Sequence, residues 1–300
     1  MKNVLVICGA TATGKTALAV KCAKLLNTEV ISADSQLIYK GLNIGTAKPT
    51  KEEMGGVVHH MIDVVDPKES FSVSDFRDRA LPIVRSLTDG GKVAVICGGT
   101  GFYINSLLFD FSYGQAKGDE EVRRRYDEIL RENGKDYLHK MLESIDEQSA
   151  RAIHPNDTKR VIRALEIFEV SGKKKSQLSD GKTPLFNYAA VAVDFPRDEL
   201  YARIDERVDE MFEKGLVDEV RSLFDCGVDE HCQSMQAIGY KEVIECLKNG
   251  CSQSTMRDII KRNTRHYAKR QITFFKKLPN ILWIDRQQAQ TEKIVELLND

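Results

Sequence analysis

No segment of this 300-residue chain stays apolar for long. The cleanest run near its start, Val4–Cys8, is five residues, against about 20 to cross a bilayer and about 7–15 in a signal-peptide core. A membrane span and a secretory leader are therefore not expected. Cysteine is scarce and odd in number, seven residues with no C-x-x-C. That excludes a disulfide framework or a zinc-finger pattern and fits reduced thiols. Neither sign of charge is in excess, with 44 Lys+Arg against 45 Asp+Glu, so any nucleic-acid site has to be a local patch. What remains, 42% hydrophobic and 30% charged residues, suits a folded cytoplasmic α/β enzyme of about two domains.

Val4–Cys8 is β-branched, apolar and bounded by Gly9, which reads as a buried strand. Helical period follows over Ala17–Leu26. Val30–Ser32 and Val93–Cys97 read as further strands, with a helix over Ser72–Leu87 between them. From Tyr113 to Pro184 no strand-like run occurs. Glu120–Glu132, Tyr137–Ile145 and Thr158–Val170 are charged helical sequence, and Lys173–Lys175 and Gly181–Pro184 read as loop. Tyr188–Val193 resumes the strand pattern and Arg197–Leu223 reads as one long helix. Strands that are apolar throughout and alternate with helices predict a parallel sheet covered on both faces, with ligands beyond the carboxyl ends of the strands. The expected fold class is α/β: a parallel-sheet core built around a phosphate loop (P-loop), formed by residues 1–113 and 185–300, and an inserted all-helical domain at 114–184.

Gly9-Ala10-Thr11-Ala12-Thr13-Gly14-Lys15-Thr16 fits G-x-x-x-x-G-K-[ST] between a strand and a helix. In such a loop backbone N–H groups turn inward around phosphate oxygens. Lys15 adds a point charge and the helix N-terminus a partial positive one, while Thr16 suits Mg²⁺, directly or through water. The loop indicates a polyphosphate; it does not separate phosphoryl transfer from a reaction in which pyrophosphate departs.

Asp34 follows the second strand within Asp34-Ser35-Gln36-Leu37. A carboxylate there can hold Mg²⁺, take a proton from a substrate amine, or simply cap a helix. Gly98-Gly99-Thr100-Gly101 follows the third strand; its glycines permit close backbone approach and Thr100 can donate to a ligand oxygen, unless the segment is a plain turn. His59-His60 does not suit a metal, since neighbours on a strand point to opposite faces. Arg257–Lys277 holds eight Lys/Arg and one acid. With Ile260, Thr264, Tyr267 and Phe275 on one face and Lys261, Arg262, Arg265 and Lys269 on the other, this helix reads as an RNA-backbone site rather than a plain solvated face.

Taken together, the chain resembles the bacterial tRNA dimethylallyltransferase family. The resemblance is carried by Gly9–Thr16, Asp34–Gly41 with Asn43–Pro49, His59–Asp63 with Asp66-Pro67, Gly98–Tyr103, Arg151–Asp157, Arg160–Glu166, Gly239-Tyr240 and Thr264–Gln271, in the family's order. Ala10 stands where the family usually has Pro, a change of loop stiffness rather than chemistry. The resemblance implies transfer of a dimethylallyl group from dimethylallyl diphosphate to N6 of the adenine 3′-adjacent to the anticodon, in tRNAs reading codons that begin with U. N6-dimethylallyladenosine and diphosphate are the products.

It further implies Asp34, Thr100 and Arg207 as catalytic residues and Gly9–Thr16 as the diphosphate cradle, with Mg²⁺ at Thr16. Implied tRNA contacts are Asp34, Ser35, Gln36, Leu37, Thr100, Arg123, Lys159, Arg160, Val161, Ile162, Arg163, Gln236, Gly239, Tyr240, Lys241, Arg265, Lys269 and Arg270. The helical insertion is expected to contact the anticodon arm, and the protein to act as a cytoplasmic monomer on the anticodon stem-loop. The rival readings are an adenylate isopentenyltransferase acting on free nucleotide and a small-molecule P-loop kinase. The insertion and the basic helix argue against both, because a free nucleotide needs neither.

Overall fold

The protein is described by a computed structural model over residues 2–110, 118–178, 183–286 and 289–299. The expected boundary at 113/114 and the loop residues Gly181 and Lys182 lie outside the described residues. The chain forms two compact units, Met1–Leu108 with Leu185–Asp300, and Phe109–Pro184.

The first unit is built on six strands: β1 (Val4–Cys8), β2 (Val30–Ser32), β3 (His59–His60), β4 (Ala94–Gly98), β5 (Tyr188–Asp194) and β6 (Ile281–Asp285). Their order is β3-β2-β4-β1-β5-β6 and every neighbouring pair is parallel. The helices of this unit are α1 (Lys15–Leu25), α2 (Lys51–Met54), α3 (Val73–Asp89), α4 (Gly101–Leu108), α8 (Arg197–Glu213), α9 (Leu216–Asp225), α10 (Tyr240–Asn249), α11 (Gln253–Phe275) and α12 (Thr291–Glu296). The numbers between belong to the second unit: α5 (Glu120–Ile145), α6 (Glu147–Ala152) and α7 (Thr158–Ser171).

Strand alternation divides the core. Leu5 and Ile7 share a buried cluster with Leu18 and Cys22 of α1, Ile204 of α8 and Ala268 of α11. Each fully buried side chain of that size contributes about 2 kcal/mol. Val4 and Val6 point to the opposite face, where α3 and α4 pack on each other and on β4 and Phe76 stacks on Tyr103 with centroids 3.9 Å apart. The carboxyl ends of β1, β2 and β4 thus lie side by side. They are tied by Ala33 N–H to Cys97 O at 2.7 Å and Thr100 N–H to Ala33 O at 3.1 Å. Gly98 makes that crossing possible: a Cβ there would sit 2.1 Å from Ala33 O.

Two elements differ from the sequence reading. The segment Arg197–Leu223 is two helices, because Gly215 adopts φ +92° at the start of α9, a left-handed conformation that no helix interior accommodates. The outer strand β6 was not anticipated. Its sequence, Ile281-Leu282-Trp283-Ile284, is apolar, but at the sheet edge only Ile284 is buried, the others being half-buried or exposed.

In the second unit α5 is two helical segments meeting at Gly134 (φ 82°, ψ 170°), between the two helices read from the sequence. Asp119, Asp146 and Asp157 cap α5, α6 and α7 by accepting backbone N–H bonds. Val122, Tyr126, Leu138, Leu142, Val161 and Leu165 form the core of the unit. Among the described residues no helix is long and apolar enough to cross a membrane.

Candidate active site

The loop after β1 is held from three directions. Gly14 caps α1 in the left-handed region, and no side chain takes the first helical N–H groups, which leaves them available to an anion. Within the loop Thr13 Oγ1 donates to Ala10 O at 2.9 Å and Lys15 Nζ to the same oxygen at 2.5 Å. From outside, Arg203 Nε on α8 donates to Ala12 O at 2.8 Å. Gln271 Oε1 on α11 accepts from Thr11 N–H at 2.9 Å. Burial lowers the Lys15 pKa; the Arg207 charge adds to that lowering and the Asp34 carboxylate opposes it.

Asp34 stands at the end of β2, half-buried. Its Oδ1 accepts from Gln36 N–H at 2.9 Å and Leu37 N–H at 3.4 Å. Its second oxygen takes no hydrogen bond among the described residues. The turn this makes brings Ser35 against Thr100: Ser35 N–H donates to Thr100 Oγ1 at 3.0 Å, and that hydroxyl reaches Ser35 Oγ at 3.3 Å. Arg207 donates to Thr46 O at 3.3 Å; burial lowers its pKa against the opposing pull of Asp34. Lys15, Asp34, Thr100 and Arg207 are therefore brought together from four segments.

Two further residues of this cluster were not singled out in the sequence. Tyr267 lies beside Thr100, Gln271 and Asp34, and burial, reinforced by the Asp34 charge, raises its pKa. Gln271, besides holding Thr11, donates from Nε2 to Gly99 O at 2.9 Å. One buried amide thus clamps the phosphate loop to the turn that carries Thr100. Both residues lie one turn apart on the face of α11 that the helical period assigns to the core. A polar pair inside an apolar stripe was the available signal.

A second loop, Asn43–Gly45, is fixed by Glu219 of α9, whose carboxylate accepts from the N–H groups of Asn43, Ile44 and Gly45 at 2.8–3.1 Å. The Tyr240 hydroxyl donates to the same carboxylate at 2.5 Å. Tyr240 and Gly239 are buried, so Tyr240 is corrected from a tRNA-contacting side chain to a support of this loop. Gln236 is exposed and Lys241 half-buried, which leaves them as the outward part of the 236–241 segment.

In the helical unit, Glu166 is fully buried and receives Arg123 Nε at 2.8 Å and Arg163 NH1 at 2.5 Å. One carboxylate therefore orients two of the expected tRNA contacts, with the Arg123 side chain still 46% exposed. Lys159 and Arg160 are exposed. Val161 and Ile162 are not: they pack in the core of the unit, and their assignment as tRNA-contacting side chains is corrected on that ground.

Helix α11 also departs from expectation. Arg257 and Lys261 reach Asp209 of α8 at 3.7 and 2.7 Å, and Arg265 reaches Asp205 at 2.6 Å. These three members of the basic stripe are ion-paired within the fold, and Arg265, expected to contact tRNA, is held by Asp205; Arg262 is exposed and takes no ion pair among the described residues. Lys269 and Arg270 are exposed and take no ion pair among the described residues.

No group of three or more His, Cys, Asp or Glu among the described residues is arranged to hold a metal ion. Half-buried Thr16, in the first turn of α1, fits a Mg²⁺ that keeps most of its waters and takes its other ligands from a bound diphosphate. His59 and His60 are separately engaged, with Val57 O and Glu29. Burial pushes the Cys97 thiol up to about 12 and raises that of Cys8 further, so neither is a thiolate at neutral pH.

A family model described as IPP transferase matches residues 37–278. The chain is 45% identical to the tRNA dimethylallyltransferase of Halalkalibacterium halodurans, over 100% of this chain and 96% of that protein. It is 44% identical to the one of Acetivibrio thermocellus, over 99% and 96%. Among solved structures, the full-length tRNA isopentenylpyrophosphate transferase of Bacillus halodurans matches with a TM-score of 0.73 and 43% identity, covering 100% of this chain and 95% of that one. A eukaryotic dimethylallyltransferase acting on tRNA matches with a TM-score of 0.84 and 28% identity, over 100% and 79%.

Proposed function

We propose, from the premise that this chain belongs to the IPP transferase family, that it is a prenyltransferase of tRNA. It transfers the dimethylallyl group of dimethylallyl diphosphate to N6 of the adenine 3′-adjacent to the anticodon, in tRNAs reading codons that begin with U. The products are N6-dimethylallyladenosine and diphosphate. The observation that carries the assignment of residues is the gathering of Lys15, Asp34, Thr100 and Arg207 at the carboxyl ends of β1, β2 and β4.

The chemistry follows from charge. As the allylic C–O bond breaks, its electron pair goes to the diphosphate. The N–H groups of Gly9–Thr16 other than that of Thr11, which Gln271 holds, face that growing charge with Lys15 and Arg207 from fixed positions, an arrangement that removes reorganisation from the barrier. Thr100 Oγ1, already oriented by Ser35 N–H, donates to the bridging oxygen as it becomes a leaving group. N6 of adenine is a weak nucleophile, and the unbonded oxygen of Asp34 takes its proton as the N6–C bond forms. Mg²⁺ at Thr16, when bound, supplies further charge to the diphosphate oxygens.

The adenine has to leave its stack to reach a half-buried carboxylate, so it is flipped out. Ser35, Gln36 and Leu37 line the same turn, and Gln36 Oε1 is buried with no hydrogen-bond partner, an acceptor suited to a base edge. Lys159, Arg160, Arg163 and Arg123 are the phosphate-binding cations that the helical unit offers to tRNA, and Lys269 and Arg270 are those of the sheet unit. The enzyme works as a monomer in the cytoplasm.

The test is mass spectrometry of nucleosides from unmodified tRNA incubated with the protein, Mg²⁺ and dimethylallyl diphosphate, with parallel reactions offering AMP as acceptor or ATP as donor. Dimethylallyladenosine in tRNA alone is the expected result. Product on AMP alone would reassign the enzyme to free nucleotides. ATP consumption without prenyl transfer would leave the phosphate loop standing and overturn the reaction.

A further inference from the structure

Helix α11 carries two different basic segments. In its first half Arg257, Lys261 and Arg265 are paired with acids of α8, while Arg262 is exposed and takes no ion pair among the described residues. In the second half and just beyond, Lys269, Arg270, Lys276 and Lys277 are exposed and have no ion pair among the described residues. In sequence Phe274 falls between Arg270 and Lys276, and it belongs to an aromatic pair. Phe274, on α11, meets Phe102, on α4, edge to face with centroids 5.3 Å apart and planes at 63°. The contact is tight enough that a Cβ on Gly101 would lie 2.1 Å from the Phe274 ring. Phe102 is nonetheless 57% exposed, the most open large apolar residue among the described ones.

Its position is close to the chemistry. Phe102 is two residues beyond Thr100, and Gln271, one turn before Phe274, is bonded to Gly99 O at 2.9 Å. A lone exposed ring is common on protein surfaces; this one is held in place by Phe274 and stands two residues from Thr100. The exposed cations on and just beyond the helix that carries Phe274 point to a nucleic-acid partner. Cations flanking an exposed ring are the means by which proteins hold single-stranded nucleic acid, the phosphates on the cations and a base on the ring.

Resting on the tRNA prenyltransferase reading, we propose that Phe102, braced by Phe274, is a stacking platform for an unpaired nucleobase of the anticodon loop beside the flipped adenine. Stacking replaces the contact that the adenine's neighbour loses when the adenine leaves the helix of bases, so the platform lowers the cost of flipping. Phe102 is a binding residue, distinct from the groups that act on the diphosphate.

The experiment is binding of unmodified tRNA to the full-length protein between 50 and 200 mM KCl (about the range over which phosphate contacts report), with Phe102→Ala, Phe102→Trp and, as a charge comparator, Lys269→Ala. A lost stacking contact weakens binding by about 5- to 150-fold and leaves the slope of log K against log[salt] unchanged, because no counterion release is involved. Phe102→Trp restores affinity, and inorganic pyrophosphate binding stays within about twofold in all three. Affinity of Phe102→Ala within twofold of wild type, a slope that flattens as in Lys269→Ala, or no rescue by Trp would each overturn the proposal. Should Phe102→Ala not fold, quenching of 2-aminopurine placed in the anticodon loop decides instead: loss of quenching in Phe102→Leu supports the platform and retention removes it. Wild-type protein that modifies no tRNA would defeat the underlying reading; wild-type activity with indifferent variants would defeat only this inference.

Discussion

Arg265 donates from a single guanidinium nitrogen to both carboxylate oxygens of Asp205, at 2.6 and 2.7 Å. With Lys261 and Arg257 on Asp209, this turns a stripe that reads as an RNA surface into a seam between α8 and α11. Half-exposed ion pairs of this kind contribute at most about 1 kcal/mol each. Arg265→Ala is therefore expected to lower stability slightly and to leave the salt dependence of tRNA binding unchanged. Lys269→Ala and Arg270→Ala, which free no internal acid, should each flatten the slope by about 0.7–0.9. Binding isotherms at several KCl concentrations decide this, and a flattened slope in Arg265→Ala would return that residue to the RNA interface.

Asp34 uses one oxygen to hold its own turn and keeps the other unbonded. Asp34→Asn preserves the first role, since the amide oxygen still accepts from Gln36 and Leu37, and removes the second. Single-turnover transfer should fall by at least about 10²-fold with tRNA affinity within about twofold. Equal loss of both would make Asp34 a recognition residue instead of the proton acceptor.

Gln271 bonds Thr11 N–H with its oxygen and Gly99 O with its nitrogen, so the two ends of the amide can be tested apart. Gln271→Glu keeps the acceptor and loses the donor, which loosens the Thr100 turn while the phosphate loop stays held. It should lower kcat by about tenfold or more with little change in KM for dimethylallyl diphosphate. Gln271→Ala releases both segments and should raise KM as well. Identical effects of the two variants on both constants would argue for a general packing defect.

Local pattern specified much of this. The strand–loop–helix from Val4 to Leu25 is legible because β1 is buried on both faces and the Gly/Lys/Thr spacing has one physical use. The break within α5 is legible from the interruption at Gly134. Arg197–Leu223 misleads because the apolar period runs through the break: Val208, Met211, Phe212, Leu216, Val220 and Leu223 are all buried, and only Gly215 marks the turn. Asp34 and Thr100 were legible as candidates from their places after apolar strands, whereas Arg207, on a charged helix, entered only through family resemblance. The seam between α8 and α11 was hidden for another reason. Acids at 205 and 209 and cations at 257, 261 and 265 each have helical spacing, but spacing within one helix does not reveal which helix it faces.

Asp146 supplies a test of the helical unit by pH. It caps α6 and is nearly fully buried; burial alone would raise its pKa, but bonds from Ser149 Oγ at 2.6 Å, Ser149 N–H at 3.1 Å and Ser176 N–H at 2.9 Å outweigh that and hold it at about 2. A carboxylate with a folded pKa below its unfolded value stabilises above the unfolded value, near 3.9, and loses that contribution as pH falls through the folded one. The stabilisation is about 2 kcal/mol at neutral pH. Asp146→Asn removes the charge, so its urea midpoint should lie below that of the wild type by a constant margin from pH 7 to pH 5. The margin should shrink between about pH 4 and pH 2, where the wild-type carboxylate takes up its proton. Circular dichroism of the intact protein at pH 7, 4 and 2.5 measures it. A margin that is the same at all three values would mean that the hydrogen bonds to Ser149 and Ser176 stabilise the unit by geometry alone, with no contribution from the charge.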